Sequence, residues 1–246
     1  MRLAVQLYTL RHALQEDLET TLAALAAAGA EEVELAGFYD RTPAEMRAAL
    51  DAAGLKAISG HVPLDAFESS AEGVVAAART VGTATVVVPW VPAPSTAAEA
   101  DALVERIRAA GRVATDAGLG FAYHNHDFEF RPLDDGGDLW SRIVAAGLPH
   151  EPDVGWLMVA GRDPVAVLGE LEGRCPLVHA KDVRRRADGT WEDVIAGDGD
   201  LDWSAIARAA QGAGASHLVV ELDNPSEHPI DDVALSLAVL LDALPA

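Results

Sequence analysis

One unit recurs along almost the whole chain and limits the folds available to it. An Ala-rich amphipathic stretch is followed by a glycine, a short β-branched run and a polar residue, as in TTLAALAAAGAEEVEL and SAIARAAQGAGASHLVVELD. The Ala content and the apolar spacing predict helices, and the glycine suits a left-handed helix end. The β-branched runs are typical of strands buried on both faces. Strands that alternate with helices predict βαβ units around a parallel sheet.

The number of units indicates which parallel fold this is. Counting the opening LAVQLY, eight short apolar runs fit into 246 residues, which matches a (β/α)8 barrel. A doubly wound sheet would often show a Gly-rich phosphate turn after its first strand, and QLYTLRHA has no glycine. We therefore predict an α/β fold, a single-domain (β/α)8 TIM barrel over residues 1–246. Residues 184–203 form the longest non-helical insertion, predicted as a lid-like loop or a solvated excursion.

Composition excludes several classes of partner. Half of the residues are apolar and the formal net charge is −21, which argues against nucleic acid and anionic membranes, because these bind clustered Lys and Arg. The only cysteine, Cys175, excludes a cysteine zinc cage. No run reaches the roughly 18 apolar residues of a membrane span, and no secretory signal is visible. We expect a cytoplasmic protein with a small-molecule substrate; an oligomer is possible.

The ends of the eight runs carry the candidate functional residues, because the active site of such a barrel lies at the C-terminal ends of its strands. They include four of the eight histidines and one of only two lysines. Side-chain alternation places His124 and His126 on one face and Phe121 and Tyr123 on the other, toward the helices. The remaining histidines, expected at the surface, are His12, His150, His217 and His228. In chain order the run ends are Gln6 and Tyr8, Glu34, Ser59 and His61, Pro89 and Trp90, His124 and His126, Asp153 and Trp156, His179 with Lys181 and Asp182, and Glu221 with Asp223.

Three of these residues form a candidate metal site. Asp153, His179 and Glu221 end the sixth, seventh and eighth runs, so they would meet at one end of the barrel. Two carboxylates in one pocket repel each other unless a cation is present. One imidazole with two carboxylates suits a divalent cation, which we expect to be Mn²⁺, Mg²⁺, Co²⁺ or Zn²⁺.

The order and spacing of several short motifs resemble one known family. These motifs are QLYTLR, VELAGF, SGHVPL, AYHNHDFEF, PDVGW, VHAKD, GDGDLDW and VVELD. Together they resemble the xylose isomerase-like TIM barrels, which include sugar isomerases, sugar epimerases, inosose dehydratases and endonuclease IV. The many metal ligands and the basic face of endonuclease IV are not found in this acidic chain.

The resemblance implies a metal held by residues of strands 5 to 8. Asp153, His179 and Glu221 match the last three positions, but the epimerases usually carry a Glu where this chain has His124. Either His124 takes the ligand place, or Glu129 reaches in from the following loop. One of the two acid/base carboxylates of the epimerase mechanism is therefore missing.

We accordingly predict a divalent-metal-dependent sugar isomerase or epimerase, which moves a proton next to the carbonyl of a keto-sugar or polyol. Two alternatives are an inosose dehydratase-like lyase acting on a keto-cyclitol or keto-sugar, and a non-catalytic sugar-binding barrel. Whether the substrate carries a phosphate group stays open, because Arg184, Arg185 and Arg186 could bind one. The residues expected to carry the chemistry are His126, Glu129, Lys181 and Glu221, with His124, Asp153, His179 and Glu221 on the metal. Those expected to bind the sugar are Gln6, Glu34, His61, Trp90, Trp156 and Asp223.

Overall fold

The computed structural model describes residues 1–171 and 173–245 and confirms the predicted TIM barrel. Eight parallel strands follow the order β6-β5-β4-β3-β2-β1-β10-β7, and a parallel bridge between Asp153 and His179 joins the two outermost strands. A separate antiparallel pair, β8 and β9, follows β7. The strands are β1 (Arg2–Gln6), β2 (Glu32–Leu35), β3 (Lys56–His61), β4 (Thr85–Val88), β5 (Gly120–His124), β6 (His150–Glu151), β7 (Leu177–Ala180), β8 (Asp182–Arg185), β9 (Trp191–Val194) and β10 (His217–Val220).

Helices lie between the barrel strands, as the recurring unit predicts. Thr42 and Thr96 each begin a helix with a complete capping box, which satisfies backbone N–H groups of the first turn. None of the helices in the described part of the chain is both long and apolar enough to cross a lipid bilayer. The helices are α1 (Arg11–Glu16), α2 (Leu18–Ala27), α3 (Pro43–Ala53), α4 (Leu64–Val81), α5 (Ala97–Asp116), α6 (Leu139–Ala145), α7 (Val154–Val159), α8 (Pro164–Glu170), α9 (Trp203–Gly212) and α10 (Pro229–Ala243).

Alternate residues of each strand face two different cores. Ala122 of β5 packs in the small cluster inside the barrel, whereas Phe121 and Tyr123 pack against residues of α5 and α6 in the outer layer. The face predicted for each of these side chains is confirmed. This alternation also turns His124, two residues after Ala122, toward the interior of the barrel.

Two of the four histidines expected at the surface are buried. His12 and His228 are exposed, but His150 lies in β6 and His217 in β10, and both are buried. The prediction was wrong for His150 and His217, because the apolar run that predicts each strand was taken to begin after the histidine. The ring of His150 packs edge-to-face against the ring of Trp140 in the outer layer, with ring centroids 4.7 Å apart.

The long insertion is an ordered hairpin, formed by β8 and β9. Its base is held by Asp182, whose Oδ2 accepts hydrogen bonds from the backbone N–H of Gly197 (2.8 Å) and from Trp203 Nε1 (2.9 Å). Asn224, after β10, donates its backbone N–H to Asp193 Oδ2 at 3.0 Å. The hairpin is therefore attached at both sides to the C-terminal rim of the barrel.

Candidate active site

His179 is the centre of the site at the C-terminal end of the barrel. It is fully buried on β7, and each of its ring nitrogens meets a carboxylate. Nδ1 lies 2.9 Å from Glu221 Oε2 and 4.0 Å from Asp153 Oδ2. Nε2 lies 2.8 Å from Glu34 Oε1 and 3.2 Å from Glu151 Oε2. The ring thus separates two carboxylate clusters.

The cluster on the Nδ1 side includes the metal ligands predicted from the sequence. His124, Asp153, His179 and Glu221 are all buried, and one ligand atom from each lies within 4.8 Å of the others. The local structure positions Asp153, which caps α7 by accepting the N–H of Trp156 at 2.9 Å. Its other oxygen, Oδ2, is left to face the cluster.

A second possible metal-binding group lies on the Nε2 side. It consists of His61, His124, Glu151 and His179, again with ligand atoms within 4.8 Å of one another. Glu151 was missed by the sequence analysis, although it stands two residues before Asp153 in the run HEPD. Because side chains alternate along a strand, this spacing places both carboxylates on one face. His124 and His179 belong to both groups.

The donor atoms present fit a divalent cation. Buried polar atoms are normally hydrogen-bonded, but in the two metal-binding groups three such atoms have no partner among residues 1–171 and 173–245. These atoms are His124 Nδ1, Glu151 Oε1 and Asp153 Oδ2. Imidazole nitrogen with carboxylate oxygen is the donor set that Mn²⁺, Co²⁺ and Zn²⁺ accept, so a cation would satisfy these three atoms.

Lys181 supplies a positive charge at the same place. It is buried, and its Nζ lies 3.2 Å from Glu221 Oε2 and 3.5 Å from Asp153 Oδ2. It also donates a hydrogen bond to Asp223 Oδ2 and stands 5.0 Å above the ring of Trp156. The ammonium therefore partly neutralises three carboxylates and lies beside any ligand that approaches Glu221.

Neighbouring charges outweigh burial at His179 and Glu34. Burial lowers the pKa of His179, but the carboxylates of Glu151 and Glu221 raise that pKa well above its ordinary value. Burial raises the pKa of Glu34, but His61 and His179 hold it well below its ordinary value. The cluster on the Nε2 side is thus strongly polarised.

Burial dominates at the two histidines of the fifth run. It lowers the pKa of His126 to about 4, with a further contribution from Lys181. It also lowers the pKa of His124 well below its ordinary value, helped by His179. Burial raises the pKa of Asp153 to about 7 despite Lys181. Both histidines are therefore neutral near pH 7, with a ring nitrogen lone pair free for a cation or a proton.

Glu129 lies behind the fifth strand, away from both metal-binding groups. Its carboxylate accepts hydrogen bonds from the Tyr123 hydroxyl (2.8 Å) and from the backbone N–H of His126 (2.8 Å). Burial raises its pKa to about 7. Of the two alternatives for the fifth-strand ligand, the structure brings His124 into both groups and turns Glu129 toward Tyr123.

Two residues expected to bind sugar lie beneath the cavity floor. Gln6 and Glu34 are fully buried, and Gln6 Nε2 donates to Glu34 Oε1 at 2.7 Å. Their contacts are with each other, with His179 and with His61. His61 reaches further up, with 12 % of its side chain exposed.

A cavity of about 490 Å³ opens directly above the cluster. It brings together His124, His126 and Glu221 with Asp223 and with Trp90, which is 54 % exposed. Trp156 lies instead in a neighbouring cavity beneath the hairpin. A third cavity of about 530 Å³, at the opposite end of the barrel around Arg2 and His217, has none of the cluster residues.

Comparisons with known proteins agree on the family and the fold. A family model described as xylose isomerase-like TIM barrel matches residues 22–243. A sugar phosphate isomerase/epimerase from Parabacteroides distasonis has a TM-score of 0.84 and 23 % identity, covering 99 % of this chain and 94 % of its own. No curated protein sequence matches the chain.

Two further structures match at lower sequence identity. The IolI protein, solved with a bound zinc atom, has a TM-score of 0.75 and 16 % identity, covering 99 % of this chain and 98 % of its own. The probable 3-DHS dehydratase AsbF from Bacillus anthracis has a TM-score of 0.72 and 15 % identity, covering 98 % and 99 %. At these identities the likeness is one of fold.

Proposed function

Because the chain belongs to the xylose isomerase-like TIM barrel family, we propose that it is a divalent-metal-dependent sugar isomerase or epimerase. The substrate would be a keto-sugar or a related polyol. The observation that carries the proposal is the buried group His124, Asp153, His179 and Glu221, which lies at the C-terminal mouth directly below a cavity. Several structural neighbours are isomerases or epimerases by name, including an L-ribulose 3-epimerase, which supports this reaction class.

His124, Asp153, His179 and Glu221 would hold the cation, which we take to be Mn²⁺, Mg²⁺, Co²⁺ or Zn²⁺. When bound, such an ion polarises a carbonyl and stabilises negative charge on its oxygen. That charge develops when a proton leaves the carbon next to the carbonyl, so the proton acceptor must lie close to the residues that would hold the cation.

The chain's own residues bind the sugar and move the proton. Lys181 Nζ, held between Glu221 and Asp223, can donate a hydrogen bond to a substrate oxygen that carries developing charge. His126 lines the cavity, and its Nδ1 has no partner within the described chain. We assign His126 as the proton acceptor. Glu129 acts as its positioning residue, through the hydrogen bond to the His126 backbone.

Sugar recognition would use the walls of the same cavity. The exposed indole of Trp90 offers an apolar face for sugar C–H groups, and Asp223 and His61 offer hydrogen bonds to hydroxyls. Trp156, predicted to contact sugar, lines the cavity beneath the hairpin.

A dehydratase is the second candidate, favoured by one feature of the fifth strand. His124 stands where a carboxylate would complete an acid/base pair, and His124 and His126 lie with ring centroids 5.0 Å apart. Proton removal followed by departure of a β-hydroxyl would give water loss from a keto-cyclitol or keto-sugar.

Incubation with keto-sugars and inososes in D2O tests the proposal. We expect solvent deuterium in an isomeric sugar, detected by NMR, and no exchange by Glu221→Gln. Glu227→Gln, at an exposed position after the same strand, should retain exchange. An absorbing enone or dione product would establish the dehydratase instead. Absence of both products across the panel would contradict an enzyme and favour the non-catalytic sugar-binding barrel.

A further inference from the structure

A second cavity, of about 520 Å³, lies between the rim of the barrel and the β8–β9 hairpin. It is comparable in size to the cavity above the metal-binding cluster. Trp156 and Trp191 contribute to its walls, together with Asp193, Asn224 and Asp223. We call it the hairpin cavity, and the one above the cluster the cluster cavity. The reaction proposed above places the sugar in the cluster cavity, although two residues that it uses, Lys181 and Asp223, line the hairpin cavity.

We propose that the hairpin cavity is a subsite for a second neutral ring, so that the substrate is a keto-sugar that carries a second sugar or an aryl group, rather than a free monosaccharide. This inference rests on the proposed function for the placement of the reacting sugar in the cluster cavity. The second ring would lie beneath the hairpin, against the indoles of Trp156 and Trp191.

The two cavities are close enough to hold one ligand. Asp223 lines both of them, and it is fixed there by the hydrogen bond from Lys181. The ring of Trp156, in the hairpin cavity, lies 5.4 Å from the ring of His126, in the cluster cavity. When a sugar binds above Glu221, its substituent therefore extends past Asp223 and Trp156 toward the hairpin cavity.

The wall formed by the hairpin is held in place without a ligand. Asp193 accepts two hydrogen bonds from Asn224, one from the backbone at 3.0 Å and one from the side-chain amide at 3.3 Å. Asp182 accepts the backbone N–H groups of Gly197 and Gly199 at the base. A subsite that is already formed avoids much of the ordering cost of binding.

The lining is suited to a ring with hydroxyl groups or an aromatic face. Indole rings present large, rigid apolar surfaces, and Asp193 and Asn224 add hydrogen-bonding groups at the edge of the cavity. Ligand sites commonly combine apolar walls with a few polar groups that fix orientation.

The charges disfavour a phosphate or other anionic substituent. Among the described residues, Arg186 and Lys181 are the cationic side chains of the cavity wall. Arg186 pairs with Glu192 at 2.7 Å, and Lys181 pairs with carboxylates of the active site. Both positive charges of the wall are therefore matched by carboxylates.

Isothermal titration calorimetry on the whole protein tests the subsite. The probes are neutral disaccharides and phenyl glycosides, each paired with its free monosaccharide. We expect at least one glycoside to bind about ten-fold tighter than its own monosaccharide, as a stacked ring contributes roughly 0.5–1.5 kcal/mol beyond its burial. Trp191→Ala should reduce that advantage several-fold and leave monosaccharide binding unchanged. Trp191→Phe should retain much of it.

A tryptophan of the other cavity is the matched control. Trp90→Ala should weaken each glycoside and its monosaccharide by the same factor, and circular dichroism would establish that each variant is folded. The subsite is overturned if no glycoside in the panel binds tighter than its monosaccharide, or if Trp191→Ala weakens both partners of a pair equally. Tighter binding of sugar phosphates than of neutral glycosides would overturn the neutral assignment. If deuterium exchange fails but the protein still prefers a glycoside in a way that depends on Trp191, the proposed reaction is contradicted and the subsite is not.

Discussion

The two ring nitrogens of His179 meet different carboxylates, and this pairing determines how the residue can act. A histidine that binds a metal through one nitrogen usually donates the other N–H to a carboxylate or carbonyl, which fixes the ring and its tautomer. Glu34 accepts on the Nε2 side at 2.8 Å, and Glu221 lies on the Nδ1 side at 2.9 Å. In our proposal Glu221 and Asp153 share the cation with Nδ1, and Glu34 holds Nε2–H.

Glu34→Gln tests this positioning role. The substitution keeps the shape of a fully buried side chain but removes the negative charge beside His179 Nε2. We expect metal affinity, measured by competition with a chromophoric chelator, to fall by about 10- to 100-fold. Glu31→Gln, at an exposed position three residues earlier, is the control and should leave affinity unchanged. Equal affinities for Glu34→Gln and the wild type would contradict the role.

Glu129 makes a prediction about pH and stability. Burial raises its pKa from 4.5 to about 7, so between these values the folded protein holds a proton that the unfolded chain has released. Stability from this group is complete below pH 4.5 and is lost as the pH rises through 7. Glu129→Gln can still accept the N–H of His126 through its amide oxygen, and it does not titrate. Relative to the wild type, we expect the unfolding free energy of Glu129→Gln to rise by about 3 kcal/mol between pH 4.5 and pH 8.

Urea denaturation at several pH values measures that difference. Glu31→Gln, which is exposed, should follow the wild type throughout. If the difference in unfolding free energy between Glu129→Gln and the wild type does not change with pH, the Glu129 carboxyl titrates normally in the folded protein.

Single residues also show where the sequence sufficed. Alternation along a strand was enough to predict that His124 faces the barrel interior and Tyr123 the helices, because that rule is local. Glu34 and Gln6 were predicted at the right strand ends, but their depth depends on the side chains of β3 and β7, which pack over them. Glu151 could have been found by the same alternation rule that was applied to His124.

At the scale of elements, the hairpin is the feature that the sequence described least well. The repeating units predicted the barrel strands because each unit carries its own helix, glycine and apolar run. The segment β8–β9 is polar and lacks that pattern. Its position depends on Asp182 and Asn224, which are distant along the chain, so local patterns could not distinguish a fixed wall from a mobile lid.

Gly199→Ala tests the anchor of the hairpin. A Cβ at Gly199 would lie 2.0 Å from Asp182 Oδ1 and 2.7 Å from the backbone oxygen of Val183. The anchor must therefore shift, and we expect a loss of about 1–3 kcal/mol in unfolding free energy, measured by urea denaturation. Gly169→Ala lies in α8, where no atom of the described residues is within 4 Å of the added Cβ, and it should be neutral or stabilising by about 0.5–1 kcal/mol. Equal stabilities for the two variants would contradict the anchor.

At the scale of the whole molecule, the strongly acidic chain buries several carboxylates around one point of the barrel. Despite burial, these carboxylates raise the pKa values of His61 and His179, and Lys181 places a positive charge beside them. A ligand that binds the folded state alone stabilises it in proportion to the logarithm of its concentration. A cation in this cluster should therefore stabilise the entire barrel, since its ligands come from β5, β7 and the segments that follow β6 and β10.

Thermal unfolding with and without metal measures this coupling. We expect Mn²⁺, Co²⁺ or Zn²⁺ at about 100 times its dissociation constant to add about 2.7 kcal/mol, and a chelator to reverse the gain. Asp153→Asn should show a much smaller gain, whereas Asp163→Asn, the cap of α8, should respond like the wild type. An equal response from Asp153→Asn would place the stabilising ion elsewhere.

The most direct test of the central claim is the metal content of the purified protein, measured by elemental analysis after loading with each candidate ion. The account predicts one tightly held divalent ion per chain in the wild type and its loss in folded His179→Ala and Asp153→Asn variants. A wild-type protein that retains none of these ions, or variants that retain as much as the wild type, would contradict it.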